Sequence, residues 1–189
     1  CPHPDGPAHR VLIEAAPLGV AAHPHRERQR VLLTGLLSDI TTDPAIETAI
    51  DSVEAGRSGT IVAPVGIRPP LLAAVASRAA TPLVVLTATG RDAESLTNAL
   101  ASWIPGVAML PAWETLPHER LSPQVDTMAR RIAVLRRLVH PIKGDDSAGP
   151  ISVLVVPIRG FLQPIISGLA DLEPVRVRTG DILDLPETT

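Results

Sequence analysis

The run Pro111-Ala-Trp-Glu-Thr-Leu-Pro-His-Glu-Arg-Leu-Ser-Pro123 separates an apolar strand pattern from an amphipathic helix pattern. The strand pattern occupies residues 107–110 and the helix pattern residues 124–140. A connection that only closes a turn is shorter and consists mainly of Gly, Asn, Asp and Ser. This run instead carries three prolines, a tryptophan, a histidine and three charged side chains. It therefore predicts an ordered connection that packs on itself and docks subdomains.

Strand and helix patterns alternate on both sides of this run. Such repeated strand–helix–strand units predict a three-layer, Rossmann-like α/β fold with a mostly parallel sheet and helices on both faces. The run at 83–88 is apolar apart from Thr87, which is typical of a strand buried on both faces. Strand patterns occupy 60–64, 83–88, 107–110 and 151–156; helix patterns occupy 32–40, 44–56, 69–80, 91–104, 124–140 and 159–167.

Composition limits the class of protein. A chain of 189 residues fits one domain, or one domain with part of another. A hydrophobic content of 45% with 2% aromatic residues predicts an aliphatic core, and a net charge of −3 gives no general reason to expect nucleic-acid binding. The single cysteine excludes an internal disulfide and fits a reducing, cytoplasmic location. No apolar run approaches the roughly 18 residues that span a bilayer.

The first part of the chain, residues 1–32, is rich in Pro, His and Arg. Its prolines prevent a long helix. None of its histidines has the helical spacing and fixed partner expected of a metal site, so we expect a disordered tail and no metal.

A phosphate-binding loop belongs after the first buried strand of a nucleotide-binding α/β protein. The candidate here is Ala63-Pro-Val-Gly-Ile-Arg-Pro-Pro70. A Walker loop needs a second glycine followed by Lys and Ser or Thr. When Gly66 takes that glycine's position, Ile67 and Arg68 stand where Lys and Ser or Thr are needed. Pro64 also lies in this loop. We interpret the loop as a degenerate nucleotide site that holds no cofactor. The alternative is that Arg68 attracts a phosphate weakly.

The helix pattern at 124–140 has one apolar stripe and a basic opposite face. At 100° per residue, Arg130 and Arg137 lie opposite the stripe. Arg136 lies about 50° from the centre of the stripe, so we expect its side chain to be half-buried and to need a carboxylate partner. A solvated face with one structural ion pair explains these arginines, and a phosphate-contacting surface is the alternative. The stripe consists of Val125, Met128, Ile132, Leu135 and Val139.

The proline-rich run also holds acid, base and cation side chains close together. Catalysis would require a pocket and a partner that tunes the pKa, and no Ser-His-Asp or paired-carboxylate pattern accompanies them. We therefore predict a docking role and no catalytic residues. The side chains concerned are Trp113, Glu114, His118, Glu119 and Arg120.

Residues 81–96, which read Thr-Pro-Leu-Val-Val-Leu-Thr-Ala-Thr-Gly-Arg-Asp-Ala-Glu-Ser-Leu, and residues 111–138 together resemble a known family. They are similar to the N-terminal module of the bacterial transcription-repair coupling factors (Mfd), of the actinobacterial type. That module is related to the excision-repair protein UvrB. The resemblance implies a degenerate P-loop fold, with ATP and Mg²⁺ bound only in a separate C-terminal motor.

The resemblance also implies partners. The complete proteins of this family displace stalled RNA polymerase by translocating on DNA, and recruit UvrA through a second subdomain. We expect residues 33–168 to form the degenerate nucleotide-binding-like domain and 169–189 to begin that α+β subdomain. Arg176 and Arg178 are then candidates for UvrA contact. Candidates for docking against the motor are Trp113, Glu114, His118, Arg120, Arg130, Arg136 and Arg137.

Residues 159–164, Arg-Gly-Phe-Leu-Gln-Pro, extend the resemblance, although the family usually has a small polar residue where Gly160 stands. Without the resemblance, this segment predicts a helix start with Phe161 and Leu162 in the core.

Two other functions remain open from the sequence. The first is a small α/β enzyme that binds a nucleotide or phosphate through another loop. The second is a truncated product that folds but has little activity.

Overall fold

The computed structural model describes residues 10–12, 33–114, 124–145, 147–173 and 182–184. These residues divide into two compact units. In the smaller unit, strand β1 (Arg10–Leu12) pairs antiparallel with strand β5 (Ile182–Asp184). The first part of the chain was predicted to be a disordered tail; three of its residues form a strand, and the rest lie outside the described residues.

The larger unit is an α/β structure with a parallel three-stranded sheet, as the alternating patterns predicted. Strand β4 (Val153–Pro157) is central, with β2 (Leu83–Thr87) and β3 (Val107–Met109) parallel to it on either side. Leu83 and Val107 are both in register with Val153. All five residues of β4 are buried, because the strand has a neighbour at each edge and helices cover both of its faces.

Four helices form the layer on one side of this sheet, and their bounds follow local signals. Helix α1 is Thr34–Thr41, and α2 is Pro44–Glu54. The Asp43 carboxylate accepts hydrogen bonds from two N–H groups at the start of α2, and Gly56, with φ of +66°, ends it. Helix α3 is Arg68–Arg78, and α4 is Gly90–Leu100.

The core on this face is aliphatic, as the composition predicted. It joins α2, α3 and α4 to alternate residues of β4. Ala93 and Leu100 of α4 are fully buried, and Leu96 and Trp103 pack beside them. The core includes Leu37, Ile50, Ala73, Ala74, Leu100, Ile104, Val153 and Val155.

Helix α5 (Val125–Val139) packs on the opposite face, and the short helix α6 (Ile158–Phe161) follows β4. Val134 and Leu135 of α5 contact a second cluster that includes Leu154 and Val156. Helices therefore lie on both sides of the sheet, which confirms the predicted three-layer arrangement.

Two strand predictions were wrong. The run at 60–64 is not a strand; Val62 is 95% exposed. It has no neighbouring strand, and an extended segment without a ladder gains none of the hydrogen bonds that stabilise a sheet. Strand β2 is only half-buried on one face, and Val84 and Leu86 on its other face are about half exposed, so the strand is not buried on both faces as predicted.

The helix predicted at 159–167 is shorter than expected. Helix α6 ends at Phe161, three residues before Pro164, and proline disfavours helical geometry in the residue that precedes it. Phe161 and Leu162 are exposed rather than in the core. Gly160 is the buried residue of this helix, and a Cβ there would lie 3.3 Å from the Ala112 Cα.

Among the described residues, no helix is long and apolar enough to cross a bilayer.

Candidate interaction site at the carboxyl end of the sheet

The first part of the proline-rich run leaves the sheet at the carboxyl end of β3. Leu110 still donates its N–H to the Val155 carbonyl, 3.0 Å away. Beyond it, the backbone of Trp113 is held at both polar atoms by Gln163: the N–H donates to Oε1 at 2.7 Å, and the carbonyl accepts from Nε2 at 3.3 Å. The segment 111–114 is therefore anchored to the chain that follows α6. Residues 115–123 of the run lie outside the described residues, so the predicted ordered connection is not tested there.

A buried arginine forms the centre of this site. The side chain of Arg131, on α5, is fully buried. Its Nη1 donates to the Pro111 carbonyl at 2.5 Å, and its guanidinium carbon lies 4.5 Å from the centroid of the Trp113 ring. Such a cation–π contact contributes up to about 2 kcal/mol where water is excluded.

The same guanidinium group is only partly satisfied. Its Nε and Nη2 are buried and have no hydrogen-bond partner in the part of the chain that the structure describes. Burial lowers the pKa of Arg131, because the charged form loses its hydration. An arginine nevertheless keeps its proton in proteins, so the site contains a buried positive charge.

A second polar contact lies one turn earlier on α5. The Thr127 hydroxyl donates to the Glu114 carboxylate. This hydrogen bond is the main reason that the pKa of Glu114 is lowered, and it favours the ionised form. Arg159 also donates to the main-chain carbonyl of Glu114 at 3.3 Å. Helices α5 and α6 thus both hold the segment that contains Trp113 and Glu114.

The buried face of α5 differs from the predicted stripe. Its buried residues are Thr127, Arg131, Val134 and Leu135, and only Leu135 belongs to the predicted set. Val125, at one end of that set, is 80% exposed. The prediction was wrong because it ranked positions by hydrophobicity, whereas two residues of this face bury polar groups that bond to the segment 111–114.

Arg131 is the site residue that the sequence analysis missed. A signal was present, since Thr127, Arg131, Val134 and Leu135 have the i, i+4, i+7 and i+8 spacing of one helical face. A tryptophan on the preceding connection supplies a surface on which an arginine side chain can stack.

The three arginines predicted to dock on the motor have different surroundings. Arg130 is largely exposed and forms an ion pair with Asp126 at 2.9 Å. Arg136 is half-buried, as predicted, and one of its nitrogens lies 3.3 Å from the Leu172 carbonyl. Arg137 was placed wrongly on the exposed face: it is half-buried, and its Nε donates to the Gly149 carbonyl at 2.9 Å, because the helix is rotated from the predicted orientation.

The predicted degenerate loop is exposed. Residues Val65–Ile67 form one 3₁₀ turn between Pro64 and helix α3, and Gly66, Ile67 and Arg68 are all exposed. No described strand precedes this turn directly, so the strand–loop–helix context of a phosphate loop is missing there.

Four of the predicted site residues lie outside the described residues: His118, Arg120, Arg176 and Arg178. Within the described ranges, no three His, Cys, Asp or Glu side chains are grouped so that they could hold a metal ion.

The chain is similar to two curated relatives and matches no family model. It is 46% identical over 125 residues to the transcription-repair-coupling factors of Mycobacterium bovis and Mycobacterium tuberculosis. Over this stretch the chain is therefore similar to part of a transcription-repair-coupling factor. The match covers 65% of this chain and 10% of each relative, so the chain spans about a tenth of the length of these coupling factors.

The match confirms the resemblance to coupling factors that residues 81–96 and 111–138 carried in the sequence. The name of both relatives refers to transcription and to repair.

Proposed function

We propose that this chain is a non-catalytic interaction module that acts in transcription-coupled DNA repair. The 46% identity to two transcription-repair-coupling factors carries this proposal. The module contributes a scaffold on which UvrA is recruited. In the complete protein it also docks against an ATP-dependent motor, which translocates on DNA and displaces stalled RNA polymerase.

The contacts at the carboxyl end of the sheet support a docking role. The segment 111–114 is tied to α5 through Arg131 and to the chain after α6 through Gln163. Such a segment presents the Glu114 carboxylate to a partner in one fixed place, so little conformational entropy is lost on binding. Glu114 is exposed, and its lowered pKa keeps it charged at neutral pH.

Among the candidate docking arginines, Arg130 is the best placed to reach another domain. Arg136 and Arg137 already donate to main-chain carbonyls of this chain, so a partner would have to compete for them. In the part of the chain that the structure describes, Arg130 pairs with Asp126 on its own helix, and exposed pairs of this kind contribute less than about 1 kcal/mol. A carboxylate on the motor could therefore replace Asp126 at small cost.

The absence of catalysis is part of the proposal. The turn at Val65–Ile67 lacks the lysine and hydroxyl of a Walker loop, and prolines at 69 and 70 remove two N–H donors at the start of α3. Glu114, held ionised by Thr127, is a poor proton donor at neutral pH. ATP and Mg²⁺ then belong to the motor, and the similarity does not favour the rival enzyme that binds a nucleotide or phosphate.

Binding of purified UvrA to this chain tests the recruitment part. Surface plasmon resonance at physiological salt, without nucleotide, would compare the 189-residue chain with a control chain that continues through the complete second subdomain. Equal binding by the two chains would place the surface within this one and make Arg176 and Arg178 the residues to mutate. Binding by the control alone would make this chain the scaffold half, and binding by neither would contradict the proposal.

The docking part has its own test. We expect Arg130→Glu to weaken binding of the isolated motor to this chain by about tenfold, which corresponds to about 1.4 kcal/mol. Arg57→Glu is the matched control, because Arg57 is also exposed but lies beyond the end of α2. Equal effects of the two changes would indicate general electrostatic attraction rather than docking at α5.

A further inference from the structure

Arg131 has two hydrogen-bond donors for which the described fold provides no acceptor. Nη1 bonds to the Pro111 carbonyl, whereas Nε and Nη2 are buried without a partner. Ionised side chains without a counter-charge are rarely fully buried, because the loss of hydration costs several kcal/mol. Burial lowers the pKa of Arg131, and within the described ranges no neighbouring charge contributes to this shift.

The two free donors lie on one edge of the guanidinium group. In arginine, the Nε–H and one N–H of Nη2 point in nearly parallel directions. Nη1 lies on the opposite side of the guanidinium group, next to Cδ. Two parallel donors of this kind match two oxygens of one carboxylate or phosphate group. Arg131 thus keeps its two-donor edge free and uses Nη1 to hold the backbone.

The position of Arg131 is also one at which α/β proteins bind ligands. Open parallel sheets bind ligands beyond the carboxyl ends of their strands. Pro111, whose carbonyl accepts from Arg131, is two residues beyond the end of β3. The degenerate loop at Val65–Ile67, which the sequence pointed to, is exposed and has no buried donor of this kind among the described residues.

We propose that the Nε and Nη2 edge of Arg131 binds an oxyanion of the carboxylate or phosphate type. The bound group supplies the counter-charge and both acceptors that the buried cation lacks. The site is separate from the proposed recruitment of UvrA and does not depend on it.

Entry of the anion requires a movement of the segment 111–114. Nε and Nη2 have almost no accessible surface, and Trp113 covers one face of the same guanidinium group. Binding therefore changes the environment of the Trp113 ring. Trp103, the other tryptophan, packs against the core on the opposite face of the sheet and is not part of this movement.

Titration of the Trp103→Phe chain with inorganic phosphate tests the proposal. We expect a saturable change in Trp113 fluorescence that sodium chloride at matched ionic strength does not produce. In Arg131→Lys the apparent affinity should fall at least about tenfold, since an ammonium group cannot make the paired contact. Arg130→Lys, on the exposed side of the same helix, should leave the affinity unchanged.

A second measurement requires no variant at Arg131. In the unaltered chain labelled with ¹⁵N-arginine, phosphate should shift one slowly exchanging Nε–H resonance and leave the exposed arginines at their chloride values. This readout remains decisive if Arg131→Lys does not fold.

Sodium acetate distinguishes the two sources of oxyanion. A response to acetate alone identifies a carboxylate site, and a response to phosphate alone identifies a phosphate site. The proposal is overturned if neither anion shifts the Nε–H resonance or the fluorescence at about 50 mM. At that concentration, a site with a Kd near 1 mM would be almost fully occupied. An equal response of Arg131→Lys would overturn it as well.

Discussion

The guanidinium group of Arg131 stacks on the ring of Trp113 at 4.5 Å and binds the carbonyl of Pro111 two residues earlier. One buried side chain thus holds both the entry of the proline-rich connection and its aromatic residue against α5.

We expect Arg131→Lys to lower the free energy of unfolding by about 2–3 kcal/mol. Lysine cannot stack its charge over the Trp113 ring in the same way, and it carries the same charge into a buried position with fewer donors. Urea denaturation at pH 7 measures the change.

Arg130→Lys is the control for this substitution. Arg130 lies next to Arg131 in sequence but is exposed, so its change should stay within about 0.5 kcal/mol. Equal losses from the two substitutions would show that burial of Arg131 does not contribute as described.

The close approach of Gly160 to the start of the connection leads to a second prediction. A Cβ at this position would lie 3.3 Å from the Ala112 nitrogen and 3.4 Å from the Leu110 carbonyl oxygen, both backbone atoms. We therefore expect Gly160→Ala to lower the melting temperature, with a loss of about 1–2 kcal/mol at the midpoint.

Gly90→Ala is the matched control, because Gly90 is the first residue of α4 and has no atom within 4 Å of the added Cβ. Alanine also favours helical conformation over glycine, so this change should be neutral or slightly stabilising. A similar loss in both variants would contradict the steric explanation.

Much of the fold could be predicted from local signals. The Asp43–Pro44 start and the Gly56 end of α2 depend on backbone chemistry within a few residues, and such signals are readable without tertiary contacts. The failed predictions depended on neighbours. Whether Val84 is buried is decided by which helix covers that part of the sheet, and the run at 60–64 lacked a pairing strand.

The candidate site was only partly predictable. The composition and length of the proline-rich run indicated an ordered docking segment. Side chains of α5 and α6 do hold Glu114, but its docking role and that of Trp113 stay predictions. Arg131 was missed because a charged residue is normally assigned to the solvent face of an amphipathic helix. Its burial depends on the Pro111 carbonyl, 20 residues earlier in the chain, and on the ring of Trp113.

The two hydrogen bonds between Gln163 and Trp113 give a third prediction. Gln163→Leu keeps a side chain of similar size but leaves the Trp113 N–H and carbonyl without their partners. We expect a loss of about 1–2 kcal/mol and a change in tryptophan emission. Gln124→Leu is the control: Gln124 is exposed, and its side chain does not cap α5. An unchanged emission spectrum in Gln163→Leu would contradict the anchoring of this segment.

The hydrogen bond from Thr127 to Glu114 predicts a specific dependence of stability on pH. The pKa of Glu114 is lowered in the folded chain, first because of Thr127 and then because of backbone hydrogen bonds, while burial opposes the shift. A carboxyl group with a lowered folded-state pKa stabilises the fold above its ordinary value of 4.5, and this contribution is lost as the pH falls through the folded-state value.

We therefore expect Thr127→Val to cost most stability at pH 7 and progressively less as the pH falls below 4.5, where Glu114 becomes protonated in both proteins. Urea denaturation from pH 7 to pH 3 measures the difference in unfolding free energy between the two proteins. Thr97→Val is the control, since the Thr97 hydroxyl donates to the Ala93 carbonyl, which does not titrate, and its cost should be the same at every pH. If the cost of Thr127→Val were equally independent of pH, the threonine would stabilise α5 by packing alone, and Glu114 would not be held in its ionised form by this contact.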